Sequence, residues 1–159
     1  MQIIDNFLDK ITMYRLVLYF LVLLALYGFF LQPFIPYLFY FISVIFVSWL
    51  INTIFAKICK TPTNIESVYI SALILVLVVD PSINIIWLAI LTQTSKYLLA
   101  VNKKHIFNPV AIALVLTGSA SWWISNIYTL PVVLIGGLLL IRKLRKGEMV
   151  WTFLITSIL

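Results

Sequence analysis

The chain has 159 residues, of which 64% are hydrophobic and only 10% charged, with a net charge of +6; its mean hydropathy is +1.14. So little polar surface cannot coat a water-facing globule, and once roughly six spans of about 20 residues are set aside no length remains for a soluble domain. The cations stand in short runs between apolar stretches rather than on one wetted face, which excludes a nucleic-acid partner, and the single cysteine, Cys59, excludes an internal disulfide or a cysteine-rich metal site.

Residues 1–12 place Ile3, Ile4, Phe7, Leu8 and Ile11 on one side and Asp5, Asn6, Asp9 and Lys10 on the other. That spacing predicts an amphipathic helix lying in the membrane interface. No small-residue cleavage site follows the first long apolar run, so a cleaved signal peptide is not expected. A first span is expected over 14–31, ending at Gln32-Pro33. A second covers 34–56, opened by the aromatic belt Phe34, Tyr37, Phe39, Tyr40 and Phe41 and closed by Lys57 and Lys60. Thr61-Pro62-Thr63-Asn64 reads as a turn in which Thr63 or Asn64 caps a third span, 65–79, stopped by Asp80-Pro81-Ser82.

A fourth span is expected over 83–101, up to Asn102-Lys103-Lys104-His105. Asn108-Pro109, a cap followed by a proline at the first helical position, opens a fifth over 108–118. A loop with Trp122 and Trp123 at interface depth leads to a sixth, 127–141, terminated by Arg142, Lys143, Arg145 and Lys146. Residues 149–159 begin a seventh that is too short to cross. A helix ending inside lipid leaves carbonyls unsatisfied, so a longer protein is expected, with this chain as its N-terminal part.

Orientation follows from the alternation of charge. Lys10, Arg15, Lys57, Lys60, Lys103, Lys104 and the four cations after the sixth span share one side, while the opposite loops at Gln32-Pro33, Asp80-Pro81 and Gly118 to Asn126 hold no Lys or Arg. The expectation is an all-α integral membrane protein, multi-pass, in the lipid bilayer of a cytoplasmic membrane, with its N-terminus on the cytoplasmic side.

Lys96 is the residue least at home in such a chain. It lies within the fourth span among Thr92, Gln93, Thr94, Ser95 and Tyr97, and Thr92, Ser95 and Lys96 share one helix face. Two readings stand. Lys96 snorkels to the headgroups, about two turns away, or it lines a pocket for a phosphate, a carboxylate or an electron-rich ring, together with the helix starts at Thr63-Asn64 and Asn108-Pro109. Helix N-termini attract anions, and Lys103, Lys104 and His105 immediately precede one of them. The plainer account of the two starts is capping plus positive-inside charge. Glu66 complements the dipole of the third helix or pairs with Lys96, and His105 reads first as an interfacial loop residue. Cys59 reads as a structural thiol, and Gly136-Gly137 as a site of close helix packing. No nucleophile–base pair, glycine-rich phosphate loop or ligand-spaced metal set is visible.

The segment opening at Pro62 (PTNIESVYISALIL) and the one opening at Ser95 (SKYLLAVNKKHIFNP) resemble a family of membrane proteins found in the sodium-pumping NADH:quinone oxidoreductase and in the Rnf electron-transport complex. In that family a lysine near the end of a span is followed by Asn-x-Phe-Asn-Pro-Ala. The matching positions are Lys96 and Ile106-Phe107-Asn108-Pro109, with Val110 in place of the alanine. The opening IDNFLDKITMYR from Ile4 is similar to a variant fused to a flavin- and NAD-dependent reductase.

The resemblance covers most of the chain. It implies a bacterial inner-membrane domain of two related five-helix halves with a urea-transporter-like fold, of which this chain holds the first half and the start of the second. It also implies electron transfer coupled to movement of Na+ or H+, a flavin (FMN or riboflavin), and partners in the form of other subunits or a fused reductase module. Lys96, Asn108 and His105 are the cofactor contacts it suggests. Thr117-Gly-Ser-Ala-Ser121 departs from the family's Ser-Gly-Ala-Thr attachment motif, so the flavin implied is noncovalent. A passive channel or transporter for a small solute and a structural membrane anchor remain the alternative functions.

Overall fold

The computed structural model describes residues 10–62, 64–80, 84–101, 104–105, 108–119, 121, 127–144 and 147–158. The expected interfacial helix, Thr63 as a cap, Lys103, and Trp122 with Trp123 lie outside them. The described residues are helical apart from one short antiparallel pairing. The helices are α1 (Met13–Leu31), α2 (Phe34–Cys59), α3 (Ile65–Val78), α4 (Ile85–Leu98), α5 (Pro109–Thr117), α6 (Leu130–Leu144) and α7 (Gly147–Ile158), with β1 (Ala100–Val101) and β2 (Lys104–His105) between α4 and α5.

Helix boundaries sit where the chain supplies caps and breakers. The Thr12 side chain accepts from Arg15 N–H at 3.4 Å, that of Asn64 from Ser67 N–H at 3.3 Å, that of Asn84 from Ile86 N–H at 3.3 Å and that of Asn108 from Val110 N–H at 3.0 Å. Lys60 and Gly118 close α2 and α5 in the left-handed region, at φ 49° and 62°. Several boundaries shift by about three residues: α2 runs on to Cys59, and α6 starts at Leu130 and continues through Arg142 and Lys143 to Leu144. α4 stops at Leu98 rather than continuing to Val101, because the chain turns extended and Ala100 pairs with His105 and Val101 with Lys104.

α1 and α2, at 19 and 26 residues, are long and apolar enough to cross a membrane; α3 is apolar but shorter. At 1.5 Å per residue α3 covers about 21 Å, less than a hydrocarbon core of about 30 Å. It is instead the centre of the molecule, packed against α1, α2, α4 and α5. Its Leu73 and Leu77 join Leu21, Leu24 and Ala25 of α1 in one apolar layer, flanked by Val132 and Val133 of α6. Its Ala72, Leu75 and Val76 join Tyr37, Tyr40 and Val44 of α2, Leu88 and Ala89 of α4, and Val110 and Ala113 of α5 in another.

Hydrogen bonds between helices fix their directions. Arg15 Nε meets Glu66 Oε1 at 3.1 Å, so α1 and α3 begin at the same level. Tyr40 Oη donates to Val79 O at 2.8 Å, joining the start of α2 to the end of α3. Tyr97 Oη donates to Asn52 Oδ1 at 2.9 Å, joining the last turns of α2 and α4. Ser95 Oγ reaches Pro109 O at 3.4 Å, and Ser121 N–H and Oγ both donate to Val78 O. Successive helices from α1 to α5 therefore run in alternating directions between two levels, with α2 and α4 parallel.

Candidate functional site

Large apolar side chains face outward as well as inward, and several polar ones are enclosed. Phe30, Phe39, Ile35, Trp87, Ile58 and Leu138 are among the large apolar side chains facing outward, while Ser48, Asn52, Ser71, Thr92, Gln93, Lys96 and Thr129 are buried. Among the described residues, five of the seven buried polar ones belong to α2 and α4, which pack closely together.

That interface is laid out by helical spacing. Asn52 and Tyr97 meet near the C-terminal ends, where the Tyr97 ring also stacks on Phe55 with centroids 5.6 Å apart. One turn back along each of these parallel helices lie Ser48 on α2 and Gln93 on α4. Both are 0% exposed, as is Thr92, and Lys96 is 6% exposed. Gln93 and Thr92 stand three and four residues before Lys96, which brings the carboxamide, a hydroxyl and the ammonium onto adjoining parts of one helix face.

These groups differ from the rest of the core in one respect. Ser48 Oγ, Thr92 Oγ1, both amide atoms of Gln93 and Lys96 Nζ are buried without a hydrogen-bond partner. Such groups are normally satisfied, and an isolated buried ammonium is the most expensive of them. Lys96 does not snorkel, because its Nζ is enclosed. Nor does it pair with Glu66, whose carboxylate is taken by Arg15 in a pair exposed enough to be worth about 0–1 kcal/mol.

The structure brings together some of the residues expected near Lys96. Ser95 spans from its own helix, where its hydroxyl donates to Thr92 O at 2.9 Å, to Pro109 O, so the start of α5 abuts this end of α4. Asn108 is committed to its cap through Oδ1. His105 is placed by its backbone pairing with Ala100, and its side chain lies outside what is described. The start of α3 faces Arg15 of α1 instead. Ser48 and Asn52 are functional candidates that sequence reasoning misses; two polar residues four apart in an otherwise apolar run are the signal available for them. An outward groove of about 260 Å³ between α2 and α3, lined by Phe41, Ile45, Phe46, Trp49 and Tyr69 among others, is apolar and separate from this strip.

No family model, curated protein or solved structure matches the chain.

Proposed function

We propose that this chain is the membrane-embedded part of a flavin-dependent electron-transport complex of the inner membrane, with α1 and α2 crossing the bilayer in full, α3 to α6 forming short or interrupted spans packed against them, and the N-terminus cytoplasmic. The observation that carries the reading is the enclosed, unpartnered ammonium of Lys96 inside a bundle whose outer surface is apolar. Intramembrane ionisable residues of this kind belong to substrate, ion or cofactor sites. The alternating helix directions and the grouping of Arg15, Lys57 and Lys60 at one level support the orientation.

The donor set suits the flavin that the resemblance implies. The Gln93 carboxamide offers a donor and an acceptor side by side, as the imide edge of a flavin ring requires, and Lys96 offers positive charge to that edge or to a phosphate. The flavin would supply the capacity to accept and pass on electrons; the protein would supply orientation and a low-dielectric surrounding in which a point charge acts strongly. Asn108, and His105 beside it, would line the cytoplasmic side of the site. The domain would be the first half of a urea-transporter-like arrangement, completed by further helices and by a reductase module or partner subunits.

A visible absorption spectrum of the detergent-purified protein tests this. Flavin bands in the wild type, lost in a Lys96→Met variant that still inserts and purifies normally, are the expected result. Absence of flavin from the full-length protein would remove the electron-transport reading. It would favour a small-solute transporter, for which the polar strip from Ser48 and Gln93 to Asn52 and Lys96 would be the path, and solute flux into liposomes would then be the measurement.

A further inference from the structure

Among the described residues the carboxylates are engaged or placed away from Lys96. Glu66 is bonded to Arg15, Asp80 lies at the opposite level beyond Val79, and Glu148 opens α7, which packs on α6. A buried ammonium without a counter-charge is costly, and a negative charge brought from outside the chain removes much of that cost. The neighbouring atoms narrow the chemistry. Lys96 Nζ, the two hydroxyls and Gln93 Nε2 can all donate, which calls for several acceptor oxygens. Gln93 Oε1 can only accept, so the group that satisfies it must also carry a hydrogen-bond donor.

We propose that Ser48, Thr92, Gln93 and Lys96 form an intramembrane binding site for a singly charged, hydroxyl-bearing oxyanion. Bicarbonate and dihydrogen phosphate have that chemistry, as does the monoprotonated phosphate of a larger cofactor. The site rests on the membrane-embedded bundle of the proposed function but not on its electron transfer, which flavin absorbance reports separately.

The test uses the full purified chain in detergent, freed of small anions by exchange into a buffer whose bulk anion is methanesulfonate, which carries no hydroxyl. Thermal unfolding is followed while sodium bicarbonate or sodium formate is added at constant ionic strength. The two anions share a planar carboxylate, and only bicarbonate carries a hydroxyl. Bicarbonate should raise the unfolding midpoint saturably, and formate should bind about tenfold more weakly because Gln93 Oε1 stays unpartnered. Lys96→Met should abolish the response and, without anion, unfold at a higher temperature than wild type because no charge is left uncompensated. Gln93→Met should keep anion binding and lose the preference for bicarbonate.

Competition separates the two sources. Displacement of bicarbonate by FMN but not by riboflavin assigns the site to a cofactor phosphate, and no displacement by either assigns it to a free anion. An equal response in wild type and Lys96→Met, or a midpoint that follows ionic strength alone, overturns the proposal. So does equal affinity of wild type for formate and bicarbonate.

Discussion

Lys60 closes α2 at φ 49° and ψ 43°, a conformation in which an L side chain crowds its own carbonyl. The same position in α5 is filled by Gly118, which carries no such cost. Lys60 is exposed, so its side chain contributes little packing, although its charge complements the helix C-terminus. Lys60→Gly is expected to stabilise the protein by about 0.5–1 kcal/mol, the relief of strain slightly exceeding the lost charge and added chain entropy. Denaturation in detergent measures it; a lower midpoint for the glycine variant would mean that charge at this helix end outweighs backbone strain. The caps at Asn64 and Asn108 were legible in the sequence because a short polar side chain before an apolar run has one local use. The destinations of Lys96 and Glu66 were not, since pairing across 51 positions depends on which helices are neighbours.

At the scale of elements, the two adjacent glycines of α6 have different surroundings. A Cβ built on Gly136 would overlap the Phe20 ring of α1, whereas one on Gly137 would meet nothing. Close approach of α1 and α6 therefore rests on Gly136 alone. Gly136→Ala should cost about 1–3 kcal/mol, because the partly buried Phe20 ring must shift to admit the methyl group, while Gly137→Ala should be neutral or slightly stabilising. Equal effects of the two in thermal unfolding would place the α1–α6 contact elsewhere. Hydropathy marked the helical segments from Met13 to Ile158 because long apolar runs between prolines and polar turns leave few alternatives. It did not mark the end of α4 at Leu98, where apolar composition continues but the backbone leaves the helix to pair with Lys104 and His105. Nor could it distinguish α3 from its neighbours. Only packing reveals that the helix between the longest apolar stretch and the most polar one is enclosed on nearly every side.

For the whole molecule, the two levels of helix ends turn the proposed orientation into a labelling experiment. Cys59 is exposed at the end of α2, and Ser121 is exposed at the opposite level beside the end of α3. In intact cells the wild-type chain should react with a membrane-impermeant maleimide only after permeabilisation. A Cys59→Ser, Ser121→Cys double variant should react without it. The reverse pattern would invert the orientation, and reaction of both in intact cells would argue against a bilayer between the two levels.

The enclosed strip on α4 also bears on how such a chain is made. A helix carrying Lys96 in its last turn, with Gln93 and Thr92 just before it, is poorly suited to enter hydrocarbon as a solitary segment, since an ionisable side chain within a span is costly unless it faces protein. α2 precedes it on the growing chain, runs the same way, and offers Asn52 and Ser48 where α4 needs company. During biosynthesis α4 would then leave the insertion machinery leaning on a helix already delivered. In the proposed membrane setting, the order of synthesis would supply the shelter that α4's own sequence lacks.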